Sequence, residues 1–297
     1  MNIGILTTRD ASYHGNGRLL AAAEAEGHTG FLVHPALCRP CIMGGRPMVS
    51  YNGGKNLDLD VLLPRIGSTI DDFELSVARQ WELSGVCLLN ETAGVNIARD
   101  KYSTLQNLAA AKIAVPDTAL ITRSSDVPRA VRSLGGFPLV VKRRKGRKGR
   151  GVALVEDERG LDGFLDTLES PDEAALLQKF IQSPGLRDLR VLVIHGKAVA
   201  AMGRKPAQGD FRSNIGQSGQ GYETPLTEAE ERLAERAAGA VGLDIAGVDL
   251  LSTEGKLFIL EVNYTPGVGG LEKVTGMDIA RLIVRAAAVK AERGNAA

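Results

Sequence analysis

Residues 246–263 read AGVDLLSTEGKLFILEVN, and the fold of the chain turns on this stretch. Two apolar runs, 246–251 and 257–263, flank the polar segment Ser252-Thr253-Glu254-Gly255. Such runs read as strands, and the segment between them as the turn of an antiparallel hairpin. Side chains alternate across a strand, so Glu261 and Asn263 share a face, opposite Phe258, Leu260 and Val262. Asp249 lies between Val248 and Leu250, which take the other side. An odd number of loop residues puts Asp249 on the Glu261 face. Two carboxylates and an amide oxygen on rigid strands then form a hard-oxygen set suited to Mg²⁺. The alternative is a solvated polar strand face, against which stands the rarity of acids inside strands this apolar.

Upstream, Thr227 and Glu230 form a capping-box pattern that opens a helix running to about Gly242. Strands at 189–194 and 198–203 are turned by His195-Gly196-Lys197, and a polar loop covers 205–222. A terminal helix begins at Asp278. The middle of the chain reads as a helix (127–134), a strand (138–143), a glycine-rich turn, a strand (151–155), a helix (160–168) and a strand (175–181). That is a small α+β lobe. The N-terminal part opens as a βαβ unit: strand 2–8, helix 18–26, strand 30–34. Gly15 and Gly17 follow the first strand, but Leu20 stands where a dinucleotide fingerprint needs a third glycine. A loop or short hairpin (38–56), a strand broken by Pro64 (59–66), a helix (73–84), a strand (86–90) and a helix (97–111) follow. The expected domains are an N-terminal α/β domain (1–93), a small central lobe (94–181) and a C-terminal lobe carrying the acidic hairpin (182–297).

Lys142 ends one strand of the central lobe, and Gly146, Gly149 and Gly151 lead into the next. Glycines let backbone N–H groups approach phosphate oxygens closely, with Lys142 beside them as a charge. A Walker A loop is absent. Residues 142–150 hold seven Lys or Arg in nine positions. This run fits a flap over a phosphate, a nucleic-acid contact or a solvated hairpin tip. Lys101 opens a helix and has no meaning in isolation. Arg204 and Lys205 precede a polar loop, 209–214, that contains Arg212 and Asn214; arginine suits bidentate binding of carboxylate or phosphate. None of the four histidines has a catalytic setting, and His195 is expected to lie exposed in its turn.

The bulk properties agree with a globular enzyme and narrow little else. The chain has 297 residues, 44% of them apolar, and a net charge of +1, so no global pull towards nucleic acid or membrane exists. No signal segment and no apolar run of membrane-spanning length is visible, which makes a cytoplasmic protein the expectation. Three cysteines argue against a disulfide framework. Cys38 and Cys41 form a lone CxxC, read as two reduced thiols in a loop or, alternatively, as half a zinc site or a redox pair.

Taken in order, these motifs resemble the ATP-grasp superfamily, and within it the RimK type, the ribosomal-protein glutamate ligases. The resemblance spans the chain. It rests on Pro64-Arg65-Ile66-Gly67, the 98–101 segment, Val140-Val141-Lys142, the 209–214 loop, Ala246-Gly247-Val248-Asp249, Glu261-Val262-Asn263 with Pro266-Gly267, and the 272–280 segment. It implies an ATP-grasp fold, α/β and α+β, in which a pre-ATP-grasp domain precedes two lobes that enclose ATP. It implies that Lys101 and Lys142 contact phosphates and that the turn holding Gly146, Gly149 and Gly151 closes over them. Gln178, Lys179, Phe180 and Ile181 would form the hinge that reads adenine, and Asp188 would contact the ribose. Arg190, Arg204, Arg212 and Asn214 would hold phosphate or an acyl phosphate, and Asp249, Glu261 and Asn263 would bind Mg²⁺ or Mn²⁺. The implied reaction is ATP-dependent, ADP-forming ligation of an amine, glutamate, to the C-terminal carboxylate of a ribosomal protein or peptide. A small-molecule acid or another amine is the alternative acceptor or donor, and a nucleotide-responsive RNA- or ribosome-binding protein the non-enzymatic one. Homo-oligomers are common in the family. Two positions depart from its pattern. Lys179 replaces the usual hinge glutamate, and the 142–150 run is unusually basic, so replacing Arg147, Lys148 and Arg150 by Ala is expected to raise KM for an acidic substrate.

Overall fold

The structure is a computed structural model that describes residues 1–54, 57–67, 70–144, 151–168, 173–183, 185–205, 220–253 and 255–295. Strand β1 (Asn2–Leu6), helix α1 (His14–Ala25) and β2 (Thr29–Val33) form the expected parallel βαβ unit. The segment read as loop or hairpin is a hairpin, β3 (Cys38–Met43) with β4 (Arg46–Tyr51). Strand β5 (Val61–Pro64), helix α2 (Asp72–Leu83) and β6 (Cys87–Leu88) complete a parallel sheet of order β2-β1-β5-β6.

The helix expected over 97–111 is two helices, α3 (Thr92–Ala98) and α4 (Lys101–Ala110). Asp100 breaks the run: its backbone is extended and its side chain accepts from the N–H groups of Tyr102 and Ser103, capping α4. Next comes β7 (Thr118–Ile121), a short strand the sequence did not announce. Helix α5 (Val127–Ser133), β8 (Leu139–Arg143), β9 (Val152–Val155), α6 (Glu158–Leu165) and β10 (Ala175–Lys179) follow. They build an antiparallel sheet, β7-β10-β8-β9, over its own core of Ile121, Leu139, Val141, Leu161 and Leu177.

The third sheet has the order β13-β12-β11-β14-β15. Its strands are β11 (Arg187–Ile194), β12 (Lys197–Lys205), β13 (Gln220–Tyr222), β14 (Ile245–Thr253) and β15 (Lys256–Asn263). Helix α7 (Glu228–Val241) lies between β13 and β14; both Thr227–Glu230 capping bonds form, and Gly242 ends it with a left-handed φ of 74°. Helix α8 (Val268–Thr275), masked in the sequence by glycines of poor helix propensity, precedes α9 (Ile279–Asn295).

The β14–β15 hairpin carries an irregularity that strand alternation alone does not foresee. Asp249 pairs with Glu261, but Leu250 pairs with Ile259, so Leu260 is an extra residue. Ile259 and Val262, three apart, both enter the core. Val262 therefore shares its face with Ile259, not with Phe258 and Leu260 as alternation predicts.

The first and third sheets share their interiors. One apolar cluster joins Leu6, Leu62 and Leu88 to Leu189, Val191 and Val248; another joins Ile3, Ile5 and Val61 to Leu192, Ile279 and Ile283. Asn90 fixes the junction: its amide donates to the carbonyls of Ile245 (2.8 Å) and Tyr264 (3.0 Å) and accepts from the Ile245 N–H (2.7 Å). Among the described residues no helix is long and apolar enough to cross a membrane.

Candidate active site

Strand register builds the site from two neighbouring rows on one face, across four strands. Arg204 on β12 lies opposite Asp188 on β11, Arg190 on β11 opposite Asp249 on β14, and Asp249 opposite Glu261 on β15. Arg190 grips Asp249 with two parallel bonds, Nε to Oδ1 at 2.7 Å and Nη2 to Oδ2 at 2.6 Å. Arg204 bridges Asp249 Oδ2 (Nη1, 3.0 Å) and Asp188 Oδ1 (Nη2, 2.5 Å). Burial opposes ionisation of Asp249, and Arg190 and Arg204 outweigh it, so its carboxyl sits below the usual range. Burial likewise opposes the charge on Arg204, and Asp249 and Asp188 outweigh it. Burial dominates at Asp188 and pushes its carboxyl up to about 6 despite Arg204.

Glu261 ends its row. Its carboxylate takes no hydrogen bond or ion pair among the described residues, yet it stands directly across from Asp249. Like charges opposite one another on a sheet repel. Compensation comes from the facing sheet, where burial draws the Lys142 ammonium down to about 8 while Glu261 and Asp249 pull it back up and nearby Lys101 presses it down. Lys142 Nζ donates to Gln178 Oε1 at 2.7 Å, and Gln178 Nε2 donates to Thr118 Oγ1 at 2.9 Å. The buried Gln178 thus acts through its side chain, and Thr118, unmarked in the sequence, belongs to the same chain of bonds. Lys179 points its exposed side chain away at the end of β10, and half-buried Phe180 and Ile181 follow it.

Asn263 Nδ2 donates to the carbonyl of Gly247, its cross-strand partner, at 3.3 Å, and this bond leaves its Oδ1 available. The motif at 64–67 docks beside it. Arg65 donates to the Pro266 carbonyl at 2.8 Å, Thr265 Oγ1 to that of Pro64 at 3.4 Å, and the Tyr264 hydroxyl to that of Gly67. The Gly151 carbonyl accepts from the Arg143 N–H at 2.8 Å, closing the end of the β8–β9 pair. Gly146, Gly149, Arg147, Lys148, Arg150, Arg212 and Asn214 lie outside the described residues.

Among the described residues no group of three or more His, Cys, Asp or Glu is placed to hold a metal. The oxygen-only set Asp249, Glu261 and Asn263 nevertheless fits a hard cation in chemistry. Glu261 and Asn263 present oxygens, and Asp249 joins them once a guanidinium is drawn off. Two other readings are corrected. Cys38 and Cys41 lie on β3 rather than in a loop, and residues three apart on a strand face opposite sides, so the CxxC makes no joint site. His195 is half-buried, with its ring nitrogens against Asp244 Oδ1 (3.4 Å) and the Ala286 carbonyl (3.0 Å).

The family model for a RimK-like ATP-grasp domain matches residues 98–287, and that for a RimK pre-ATP-grasp domain matches residues 1–95. The chain belongs to the RimK-like ATP-grasp family. This ligase is therefore an ATP-dependent, ADP-forming enzyme with the fold of that family. It is 36% identical over 284 residues to a probable alpha-L-glutamate ligase of Aliivibrio fischeri, covering 96% of this chain and 94% of the other. It is also 36% identical over 285 residues to one from Syntrophotalea carbinolica, with the same coverage of 96% and 94%. Among solved structures, the RimK domain ATP-grasp protein of Sphaerobacter thermophilus superposes with a TM-score of 0.76 at 22% identity, covering 97% and 99% of the two chains. D-alanine–D-alanine ligase of Bacillus anthracis complexed with ATP superposes at 0.71 with 18% identity, covering 99% and 98%.

Proposed function

We propose that the ligase joins the amine of L-glutamate to the C-terminal carboxylate of a protein or peptide, a ribosomal protein in the family's pattern, through an acyl phosphate. The observation that carries this is the Asp249–Glu261 pair, two carboxylates held opposite one another with Lys142 facing them. The names of the curated relatives support glutamate as the amine. Lys101 and Lys142 hold the nucleotide phosphates, and Gly151 with Gly146 and Gly149 covers them. Gln178 anchors Lys142, and the chain from Lys179 to Ile181 lines the adenine end. Asp188 serves as a positioning residue for Arg204. Arg190, Arg204, Arg212 and Asn214 meet the transferring phosphoryl group. Asp249, Glu261 and Asn263 would hold Mg²⁺, which would supply positive charge against the phosphate oxygens. A carboxylate oxygen attacks the γ-phosphorus and ADP leaves; the amine nitrogen then attacks the acyl carbon, phosphate leaves and the nitrogen loses a proton. The protein contributes alignment and charge.

Intact-mass measurement tests the reading. The ligase is incubated with ATP, Mg²⁺, one amino acid at a time and a peptide with a free C-terminus. The expected result is a peptide gain of whole glutamyl residues, matched by ADP, with glutamate alone. Hydroxylamine in place of glutamate should yield the peptide hydroxamate. Turnover with a different amino acid, and none with glutamate, overturns the assignment.

A further inference from the structure

Helix α4 has two flanks in its first turn. The charge of Lys101 is felt at Lys142, whose ammonium it presses down. Ser103, two residues on, lies about 200° round the helix and faces the other way. There a recess of about 290 Å³ is lined by Asn96, Arg99, Asp100, Ser103 and Arg144. Asp100 adds little negative charge to it. One of its oxygens caps α4 and the other accepts from Arg144 Nε at 2.7 Å. What remains around the recess is donors. The terminal nitrogens of Arg144 have no partner among the described residues, since only its Nε is engaged. Arg99 uses Nε on Asn96 Oδ1 (3.2 Å) and Nη2 on Asp72 (2.6 Å), which leaves Nη1. The Asn96 amide nitrogen and the Ser103 hydroxyl are likewise unbonded there.

We propose that this recess binds an oxyanion with two oxygens to offer, a carboxylate of an acidic peptide or a phosphoryl group, at a site separate from the nucleotide phosphates. Two guanidinium groups with unused N–H donors match the fork geometry of such an anion. The side chain of Arg99 is only 16% exposed, so its charge is poorly screened by water. The site borders the catalytic cleft, because Arg144 follows β8 and its carbonyl accepts the backbone N–H of Lys101 at 3.4 Å.

The test uses the full-length protein without nucleotide, so it does not depend on which amide the enzyme makes. Calorimetric titrations with tri-glutamate and, separately, with inorganic phosphate read the site. Binding of either probe, weakened about tenfold or more in Arg99→Gln/Arg144→Gln and unchanged in Lys142→Ala, supports the proposal, and the probe that binds identifies the source of the oxyanion. Ser103→Glu guards against misfolding of the double variant. Glutamate suits the third helical position beneath a capping Asp100, and its carboxylate fills the recess, so this variant should also lose the probe. Absence of binding by both probes, or binding that survives Ser103→Glu, or loss in Lys142→Ala with none in the arginine variants, overturns it.

Discussion

Burial draws Lys142 to about 8, which places its titration within the range where enzymes are assayed. In the proposed role Lys142 meets phosphate as an ammonium, so ADP affinity is expected to fall as pH rises through 8. Lys142→Arg, charged throughout, should flatten that fall; an unchanged profile in a pH series of titrations would remove Lys142 from the phosphate site. The stability linkage has the opposite sign. Between about 8 and the 10.5 of an exposed lysine, the unfolded chain binds more protons than the folded one, so this group adds stability as pH rises through that window. The two carboxylates facing it differ in a testable way. Asp249 neutralises Arg190 and Arg204, and Asp249→Asn leaves buried Arg204 and half-buried Arg190 with one full counter-charge, at a cost of about 3 kcal/mol. Glu261→Gln removes a like charge from opposite Asp249 and also a counter-charge from Lys142, so it should cost clearly less stability than Asp249→Asn. Both variants should abolish turnover, and urea unfolding separates them. This asymmetry was not legible in the sequence. The three oxygen-bearing side chains could be picked out on one hairpin, but Arg190 and Asp249 are 59 positions apart and only the β11–β14 register brings them together.

At the scale of elements, what is local was readable and what is non-local was not. Thr227, Glu230 and Gly242 bound α7 through contacts within a few residues, so its limits follow from the sequence. The break at Asp100 escaped because apolar periodicity runs across it while the capping bonds decide. The extra residue Leu260 escaped because nothing in its type marks it. Lys142–Gln178–Thr118 joins three strands and was invisible for the same reason as the arginine clamp. Close packing of elements yields a further expectation. A Cβ on Gly94 in α3 would stand 2.2 Å from the Gly242 carbonyl oxygen, a backbone atom that ends α7. Gly94→Ala should cost about 1–3 kcal/mol in urea unfolding, while Gly163→Ala in α6, with open space around it, should not destabilise. On β3, Cys38 is buried and Cys41 half-buried on the other side, so neither thiol should bind zinc with the other in a spectroscopic titration with cobalt.

At the scale of the molecule, the β7–β10 sheet stands apart. Among the described residues none of its elements packs extensively against another sheet, and its ties include the Arg144–Asp100 ion pair and the Lys101 bond to Arg144. Nucleotide and Mg²⁺ that engage Lys142 on one side and Glu261 on the other should draw the sheets together. Small-angle scattering should then give a smaller radius of gyration with ADP and Mg²⁺ than without, and an equal one would mean a rigid cleft. The first sheet is in the contrary position. One of its faces is closed by residues from the far end of the chain, Ile279 and Ile283, while α2 supplies Val77, Ala78 and Trp81 to the cluster on the other. Severed near residue 95, the leading fragment would bare the greasy face that α9 covers and lose stability on its own. A breeder of chimaeras who swaps that fragment for a cousin's must therefore transplant the inner stripe of α9 along with it.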